Sequence, residues 1–149
     1  MKPQFIEVTQ QNIQSAIINA WALYQEPKTR FYPVIDDLQE LERIYKEAFM
    51  YNHLYILEMD GETAYFPFIL DRERRFIQAN GGLACSQFFS LFMDVIIQRL
   101  EKDYEGYDLV VGYPSSNTAA MSYHQDNVID DLVEVLIRFE IDLEDTIQT

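Results

Sequence analysis

The sequence is poor in the residues that form covalent crosslinks and metal sites. Its 149 residues include one cysteine, Cys85, and two histidines, His53 and His124. A single cysteine excludes an internal disulfide and a zinc knuckle, and neither histidine lies at a ligand spacing from another ligating residue. We therefore expect no bound metal and no disulfide framework.

Long apolar runs and targeting segments are missing as well. The longest apolar stretch, residues 88–97, is interrupted by Ser90 and Asp94 and is too short to cross a bilayer. Residues 1–4 lead directly into a short apolar segment without the pattern of a signal peptide. We expect a soluble, cytoplasmic protein that does not contact membranes.

Positive charge is scarce. Eleven Lys and Arg residues stand against 25 Asp and Glu residues, which gives a formal net charge of -14. This balance argues against binding to DNA, RNA or anionic membranes, and against a polyanionic cofactor held by the protein's field alone. Eleven acids and only Arg138 lie from Asp103 onward. We interpret them as a solubilising surface, with an acidic docking surface for a basic partner as the alternative.

Aromatic and aliphatic residues, in contrast, are abundant. The chain is 48% hydrophobic and contains ten Phe and ten Tyr, enough for one domain, residues 1–149, with a continuous core. Residues 5–8 read as a first strand. Helical spacing predicts a helix over 10–25, capped by Thr9, and a second helix that begins after Asp36 or Asp37 and continues through Phe49.

Two strands and a hairpin turn are predicted next. Residues 54–57 and 64–70 are strand-like and are joined across Asp60-Gly61, a dipeptide typical of a type I′ turn. Pro67 cannot donate a ladder hydrogen bond, so it predicts a bulge or an unpaired stretch. Residues 71–74 then turn the chain into a central strand.

The stretch from residue 76 to 128 organises the rest of the chain. It predicts a strand at 76–80, a glycine turn, a long apolar helix from Ser86 to Lys102 capped by the Ser86 hydroxyl, and a buried strand at 109–113. The two strands should be parallel neighbours with the helix crossing between them. A short helix over 118–125 and an alternating strand over 133–143 complete the order β-α-α-β-β-β-α-β-α-β.

The turn after the central strand resembles the cofactor loop of the GCN5-related N-acetyltransferases, the GNAT superfamily. That loop runs Gln or Arg, two residues, Gly, one residue, then Gly or Ala, and its amides bind the pyrophosphate of acetyl-CoA. Gln78 and Gly81 match the pattern, and Leu83 stands where the family has Gly or Ala. The resemblance implies cofactor contacts at Gln78, Gly81, Gly82, Leu83, Ala84, Cys85 and Ser86.

A second match follows the next strand, where the family has Asn, then Ala three residues on and Tyr seven residues on. With Ser116 in the Asn place, Ala119 and Tyr123 fall on the other two. Starting from Asn117 instead puts His124 in the Tyr place, and we prefer the Ser116 register because it also accounts for Asn127, a residue that tolerates a left-handed helix end. The resemblance implies that Ser116, Asn117 and Ala119 contact the cofactor and that Tyr123 protonates the leaving thiolate; a packed aromatic at a helix end is the alternative for Tyr123.

These matches imply an α/β protein, in the α+β sense, with a GNAT-like mixed sheet that lacks the family's final strand. The implied function is an acetyl-CoA-dependent N-acyltransferase acting on a small-molecule or peptidyl amine, with its general base unassigned. A non-catalytic GNAT-like binding or dimerisation module with a degenerate CoA site is the alternative. We also expect a homodimer, because the strand at 133–143 has no following partner and would leave a bare sheet edge. Cys85 is expected to be a small buried residue, with a reactive thiol as the alternative.

Overall fold

The computed structural model of the chain describes residues 2–25, 35, 37–80, 82–110 and 122–123. Within them the fold is a mixed α+β arrangement of one sheet and three helices. Ser122 and Tyr123 are helical. The elements in chain order are β1 (Gln4–Ile6), α1 (Ile13–Tyr24), α2 (Leu38–Met50), β2 (Leu54–Met59), β3 (Glu62–Asp71), β4 (Phe76–Ala79), α3 (Phe89–Asp103) and β5 (Asp108–Val110).

The strands form a five-stranded sheet in the order β1-β2-β3-β4-β5. The pairs from β1 to β4 are antiparallel. Strands β4 and β5 are parallel, with Ile77 opposite Leu109 and Gln78 opposite Val110. Because α3 connects these two strands, the predicted crossover is confirmed. The order of elements also agrees with the prediction as far as β5.

The β2–β3 hairpin turns at the expected dipeptide. Asp60 and Gly61 have φ angles of 52° and 81°, and two successive positive values are what a type I′ turn requires. Asp is among the residues that best tolerate this left-handed backbone, and Gly adopts it without a Cβ clash. The local sequence therefore fixes the register of the hairpin.

The bulge expected at Pro67 occurs in the segment after β4 that faces Pro67, and not in β3 itself. Phe68 pairs with Ala79, so an unbroken ladder would place Gly82 opposite Tyr65. Tyr65 instead forms a bridge with Ala84, and the chain after β4 therefore leaves the sheet between Asn80 and Ala84. The chain departs next to Pro67, which has no N–H and so cannot donate a ladder hydrogen bond. The Pro67 carbonyl still accepts from the Asn80 amide at 2.9 Å.

The helices lie on opposite faces of the sheet. On one face, the Tyr65 hydroxyl accepts from the Asn19 side chain of α1 at 3.2 Å, and its ring lies 6.3 Å from that of Tyr45 in α2. On the other face, Tyr55 donates to Asp103 of α3 at 3.2 Å. Tyr55 is paired with Phe66, the residue after Tyr65, and successive side chains in a strand point to opposite faces.

The first two helices begin with side-chain hydrogen bonds. The Asp37 carboxylate accepts from the Glu40 amide, which decides between Asp36 and Asp37 as the predicted cap. Helix α1 begins at Ile13, later than expected, with Asn12 rather than Thr9 at the N-cap. Thr9 still contributes, because its hydroxyl accepts from the Asn12 amide while the Asn12 carboxamide accepts from the Thr9 amide.

The predicted Ser86 cap of α3 is wrong. The helix begins at Phe89 with Phe88 at the N-cap, and no side chain caps it. Ser86 is exposed and donates its hydroxyl to the Glu62 carboxylate at 2.5 Å. Ser86 lies two residues before the observed N-cap, and the Glu62 carboxylate, 24 residues away in sequence, orients its hydroxyl.

The core fills the space between the helices and the sheet. Its most enclosed large side chains are aromatic or aliphatic, and they include Tyr45, Tyr65, Phe66, Phe68 and Phe92. Among the described helices none is long and apolar enough to cross a membrane. The predicted residues 111–113 of β5, most of the helix over 118–125, and the strand over 133–143 lie outside the described residues, so the homodimer argued from that strand stays a prediction.

Candidate functional site

The carboxyl end of β4 carries the segment expected to bind the cofactor. Gln78 is exposed on β4 and lies between Ile69 of β3 and Val110 of β5 in the register of the sheet. Gly82 is buried and has a φ of 71°, a backbone conformation that favours glycine. Gly81 lies outside the described residues. The chain therefore leaves the sheet after Asn80, and at Gly82 it adopts a conformation that a side chain would strain.

Residues 83–85 return into the core. Leu83 and Ala84 have no exposed surface, and Cys85 is 3% exposed. The Ala84 amide donates to the Tyr65 carbonyl at 2.9 Å, and the Ala84 carbonyl accepts from Tyr65. This amide is used within the sheet and is not available to a phosphate. Burial, with the Glu62 carboxylate second, raises the pKa of the Cys85 thiol to about 12, so the thiol stays protonated and the reactive alternative is disfavoured.

Helix α3 begins beside this segment, and no side chain caps its N-terminus. Its N-cap, Phe88, has a left-handed backbone with φ 62° and ψ 33°, which is rare for a bulky residue. At a helix N-terminus without a side-chain cap, backbone amides can donate hydrogen bonds to an anion. The Glu62 carboxylate, bonded to Ser86, places a negative charge close to them.

Tyr123 is fixed against α3. It is 3% exposed, its hydroxyl donates to the Asp94 carboxylate at 2.7 Å, and its ring meets that of Phe89 edge-on at 5.8 Å. Burial and the bond to Asp94 raise its pKa well above the ordinary value, so the hydroxyl is protonated at neutral pH. The other residues of this motif, Ser116, Asn117 and Ala119, lie outside the described residues.

A cavity of about 660 Å³ opens between the end of α2 and the β3–β4 hairpin. Its apolar part includes Ile44, Phe68 and Ile69, and Ile69 is 49% exposed there. Four charged residues also line it, which are Glu47, Asp71, Arg72 and Glu73. Three carboxylates and one guanidinium around an apolar floor favour a ligand with a cationic group and an apolar body.

His53 is the titratable ring in this cavity. It stacks on Phe68 with centroids 4.9 Å apart and on Tyr51 at 6.3 Å. Its carbonyl accepts from the Phe68 amide at 2.9 Å. Burial, followed by the charge of Arg72, lowers the pKa of the ring below its usual 6.5. The imidazole is therefore neutral at pH 7 and able to accept a proton.

Sequence reasoning missed His53 because it considered histidine only as a metal ligand. The signal that could have found it is its position in Tyr51-Asn52-His53, between the end of a helix and the start of a strand. Connections of this kind are where binding residues concentrate. Within the described part of the chain, no group of three or more His, Cys, Asp and Glu side chains could hold a metal ion.

Asn80 joins the cavity to the predicted cofactor segment. It follows β4 directly and lines the cavity, while the next described residue, Gly82, belongs to the excursion from the sheet. A ligand in the cavity and an anion on the residues after Asn80 would therefore be neighbours. Comparisons of the chain with protein-family models, with curated proteins and with solved structures find no match.

Proposed function

We propose that this protein is an acetyl-CoA-dependent N-acyltransferase with a GNAT-like fold. The observation that supports the proposal most directly is the parallel pairing of β4 with β5 across α3, with a bulged segment at the carboxyl end of β4. The cavity reaches that end at Asn80 and extends along β3 to Asp71, Arg72 and Glu73, which precede β4. Ligands of sheets that contain parallel strands bind outside the carboxyl ends of those strands. Both motifs of the resemblance follow these two strands.

The residues at the bulge fit a pyrophosphate in part. Gly82 carries no side chain and has a positive φ, and the N-terminus of α3 has no side-chain cap, which are features of phosphate-binding turns. Ala84 supplies no donor, because its amide is bonded to Tyr65. When bound, acetyl-CoA provides the activated acyl group, and everything else is positioning and proton transfer by the chain's own side chains.

The cavity supplies the acceptor side of the reaction. Glu47 and Glu73 attract an ammonium ion, and the apolar floor around Phe68 holds its hydrocarbon part. Neutral His53 takes the proton that the amine must lose before it attacks the acyl carbon. Tyr123 packs against α3, and its protonated hydroxyl donates to Asp94. The proposed acceptor is therefore a primary amine with an apolar body.

Thermal unfolding with acetyl-CoA tests the proposal. A ligand at 100 times its dissociation constant stabilises the folded state by about 2.7 kcal/mol, so the melting temperature should rise with acetyl-CoA concentration. Gly82→Glu should abolish the rise, because it adds a side chain and a negative charge where phosphate approaches. Gln98→Glu adds the same charge on an exposed position of α3 and should leave the rise intact.

A non-catalytic module is the second candidate, and two observations favour it. The Ala84 amide is consumed by the sheet, and the Glu62 carboxylate lies beside the start of α3 through Ser86. Both weaken phosphate binding in a protein of net charge -14. An unchanged melting temperature and no calorimetric heat with millimolar acetyl-CoA would reject the enzyme and leave this candidate.

A further inference from the structure

A second groove lies far from the end of β4, between the N-terminal segment and the second half of α3. Its volume is about 360 Å³. Three cations line it, which are Lys2, Arg99 and Lys102, and the amide side chains of Gln4 and Gln98 lie between them. We name it the basic groove. Within the part of the chain that the structure describes, no Asp or Glu lines it.

The concentration of cations here is unusual for this chain. The whole sequence has eleven Lys and Arg residues against 25 acids, yet three of the eleven share this groove. Arg43 and Lys46 of α2, by comparison, bond to Glu40, Glu42 and Glu47 within their own helix. Among the described residues none of the three groove cations forms an ion pair. Acids do lie nearby, since Arg99 shares a neighbouring pocket with Glu7 and acts on Tyr55 together with Asp103. The groove itself is lined by cations without a bonded carboxylate, so its local field favours an anionic ligand.

Arg99 is held in position for such a ligand. Its guanidinium carbon lies 4.3 Å from the centroid of the Phe5 ring, and cation–π contact restricts the side chain. A guanidinium fixed in this way loses less conformational entropy when it binds a carboxylate through two parallel hydrogen bonds. Lys2 and Lys102 are exposed and add charge from either side.

The wall of the groove is the outer strand of the described sheet. Residues 2–5 line the groove, and β1 stands at one end of the strand order with β2 as its neighbour. Of the described strands, none pairs with the other side of β1. A strand edge accepts an added extended segment through main-chain hydrogen bonds, while neighbouring side chains select which segment binds.

We propose that the basic groove binds an acidic segment of a partner protein in an extended conformation. Arg99 forms the central contact to a carboxylate, with Lys2 and Lys102 flanking it. Nucleic acid is a poor occupant, because the protein carries a net charge of -14 and would repel a long polyanion outside the groove. A short segment with a few carboxylates meets only the local field, because screening limits charge interactions to about 8 Å at physiological ionic strength.

The test uses a fluorescein-labelled peptide of alternating Glu and Val, with fluorescence anisotropy at physiological ionic strength. We expect saturable binding to the full chain. Arg99→Gln and Lys102→Gln should each weaken it by about two- to fivefold, the range for exposed charge pairs. Lys46→Gln removes one positive charge from α2, away from the groove, and should change the affinity by less than about twofold.

Three further measurements keep the result interpretable. Arg99→Gln also removes the contact with Phe5, so its melting temperature is compared with that of Lys102→Gln, which has no such contact. Equal weakening by Lys46→Gln and the groove variants would overturn the proposal, because it would mean that only net charge matters.

Competition by inorganic phosphate at equal charge concentration would show a simple anion site, and tighter binding of a single-stranded oligonucleotide would show a nucleic-acid site. Either result overturns the peptide assignment. Acetyl-CoA has no role in this experiment, so its outcome is independent of the proposed enzyme.

Discussion

Burial sets the protonation state of His53 before any ligand arrives. Desolvation and the nearby charge of Arg72 disfavour the imidazolium, and they lower its pKa. A neutral ring that lines a cavity with Glu47 and Glu73 can accept a proton from a bound ammonium ion. The same carboxylates that attract the amine thus lie beside an unprotonated ring, whose lowered pKa also makes it a weaker base than an ordinary histidine.

The lowered pKa predicts how stability depends on pH. Where the folded state binds a proton less tightly than the unfolded state, stability is fully present above the unfolded pKa, about 6.5 for His, and falls as pH drops towards the folded pKa. His53→Phe keeps an aromatic ring on Phe68 and removes the titration. We expect the variant to lose less stability than the natural chain between pH 7.5 and pH 5.5.

Urea unfolding at pH 7.5, 6.5 and 5.5 measures this difference. His124→Phe is the control, because it removes the other histidine of the chain. Parallel pH dependences for His53→Phe and the natural chain would mean that the His53 ring titrates alike in the folded and unfolded states.

Tyr123 has two possible roles that one pair of variants separates. If it is the proton donor, Tyr123→Phe should lower turnover by about 10²-fold and leave the affinity for acetyl-CoA unchanged. If it only anchors its helical turn to α3, the loss of its bond to Asp94 should lower the free energy of unfolding by about 1.5 to 3 kcal/mol, and turnover should fall only as far as folding does.

Asp94→Ala is the matched variant. It removes the oxygen that accepts from the Tyr123 hydroxyl and keeps the hydroxyl itself, so a proton-donor role predicts retained turnover while an anchoring role predicts a loss of stability like that of Tyr123→Phe. Release of the CoA thiol with 2-phenylethylamine as acceptor reports turnover, and thermal unfolding reports stability. Full turnover in Tyr123→Phe would exclude the residue as the donor.

The elements with local sequence signals were predicted close to their observed bounds. Helix α2 follows its Asp37 cap, and the β2–β3 hairpin follows Asp60-Gly61, because both signals act within four residues of the backbone they shape. The start of α3 could not be predicted in this way. Ser86 is a good cap by residue type, but Glu62 takes its hydroxyl through a contact across 24 residues of sequence, and only the tertiary fold brings the two together.

In the candidate site, too, the features with a local sequence signal could be predicted, and those that depend on tertiary contacts could not. The parallel pairing of β4 and β5 follows from the alternation of strand, helix and strand, so the place of the predicted cofactor loop could be argued from sequence. The use of the Ala84 amide by Tyr65 could not, because that bridge depends on how far the chain leaves the sheet after Asn80. The cavity around His53 needed the relative placement of α2 and the β3–β4 hairpin, which no local pattern encodes.

The cap of α2 gives a prediction at the scale of one element. Asp37→Ala leaves the Glu40 amide without its side-chain acceptor and should lower the free energy of unfolding by about 0.5 to 2 kcal/mol. Asp37→Asn keeps an acceptor oxygen in the same place and should cost much less. Chemical denaturation of both variants measures the difference, and equal losses would show that the charge of Asp37, rather than the hydrogen bond, stabilises the helix.

Charge acts on the molecule as a whole. With a net charge of -14, the protein repels polyanions at long range, while the hydrogen-bond donors proposed for the cofactor are backbone amides without net charge. The attraction of the cofactor phosphates to the start of α3 therefore acts at short range, whereas their repulsion by the rest of the protein acts at long range. Salt screens the long-range part first, because the Debye length falls from about 30 Å at 0.01 M to about 8 Å at 0.15 M.

This difference predicts an inverted salt dependence for acetyl-CoA. Binding of a polyanion by clustered cations weakens as salt is added, but here added NaCl should strengthen binding, by about two- to fivefold between 0.01 and 0.15 M, because repulsion is what it removes. Isothermal titration at the two concentrations measures the change. Pantetheine, the uncharged arm of the cofactor, should bind equally at both. An affinity for acetyl-CoA that falls with salt would mean that cations such as Arg74 and Arg75, rather than the amides after Phe88, hold the phosphates.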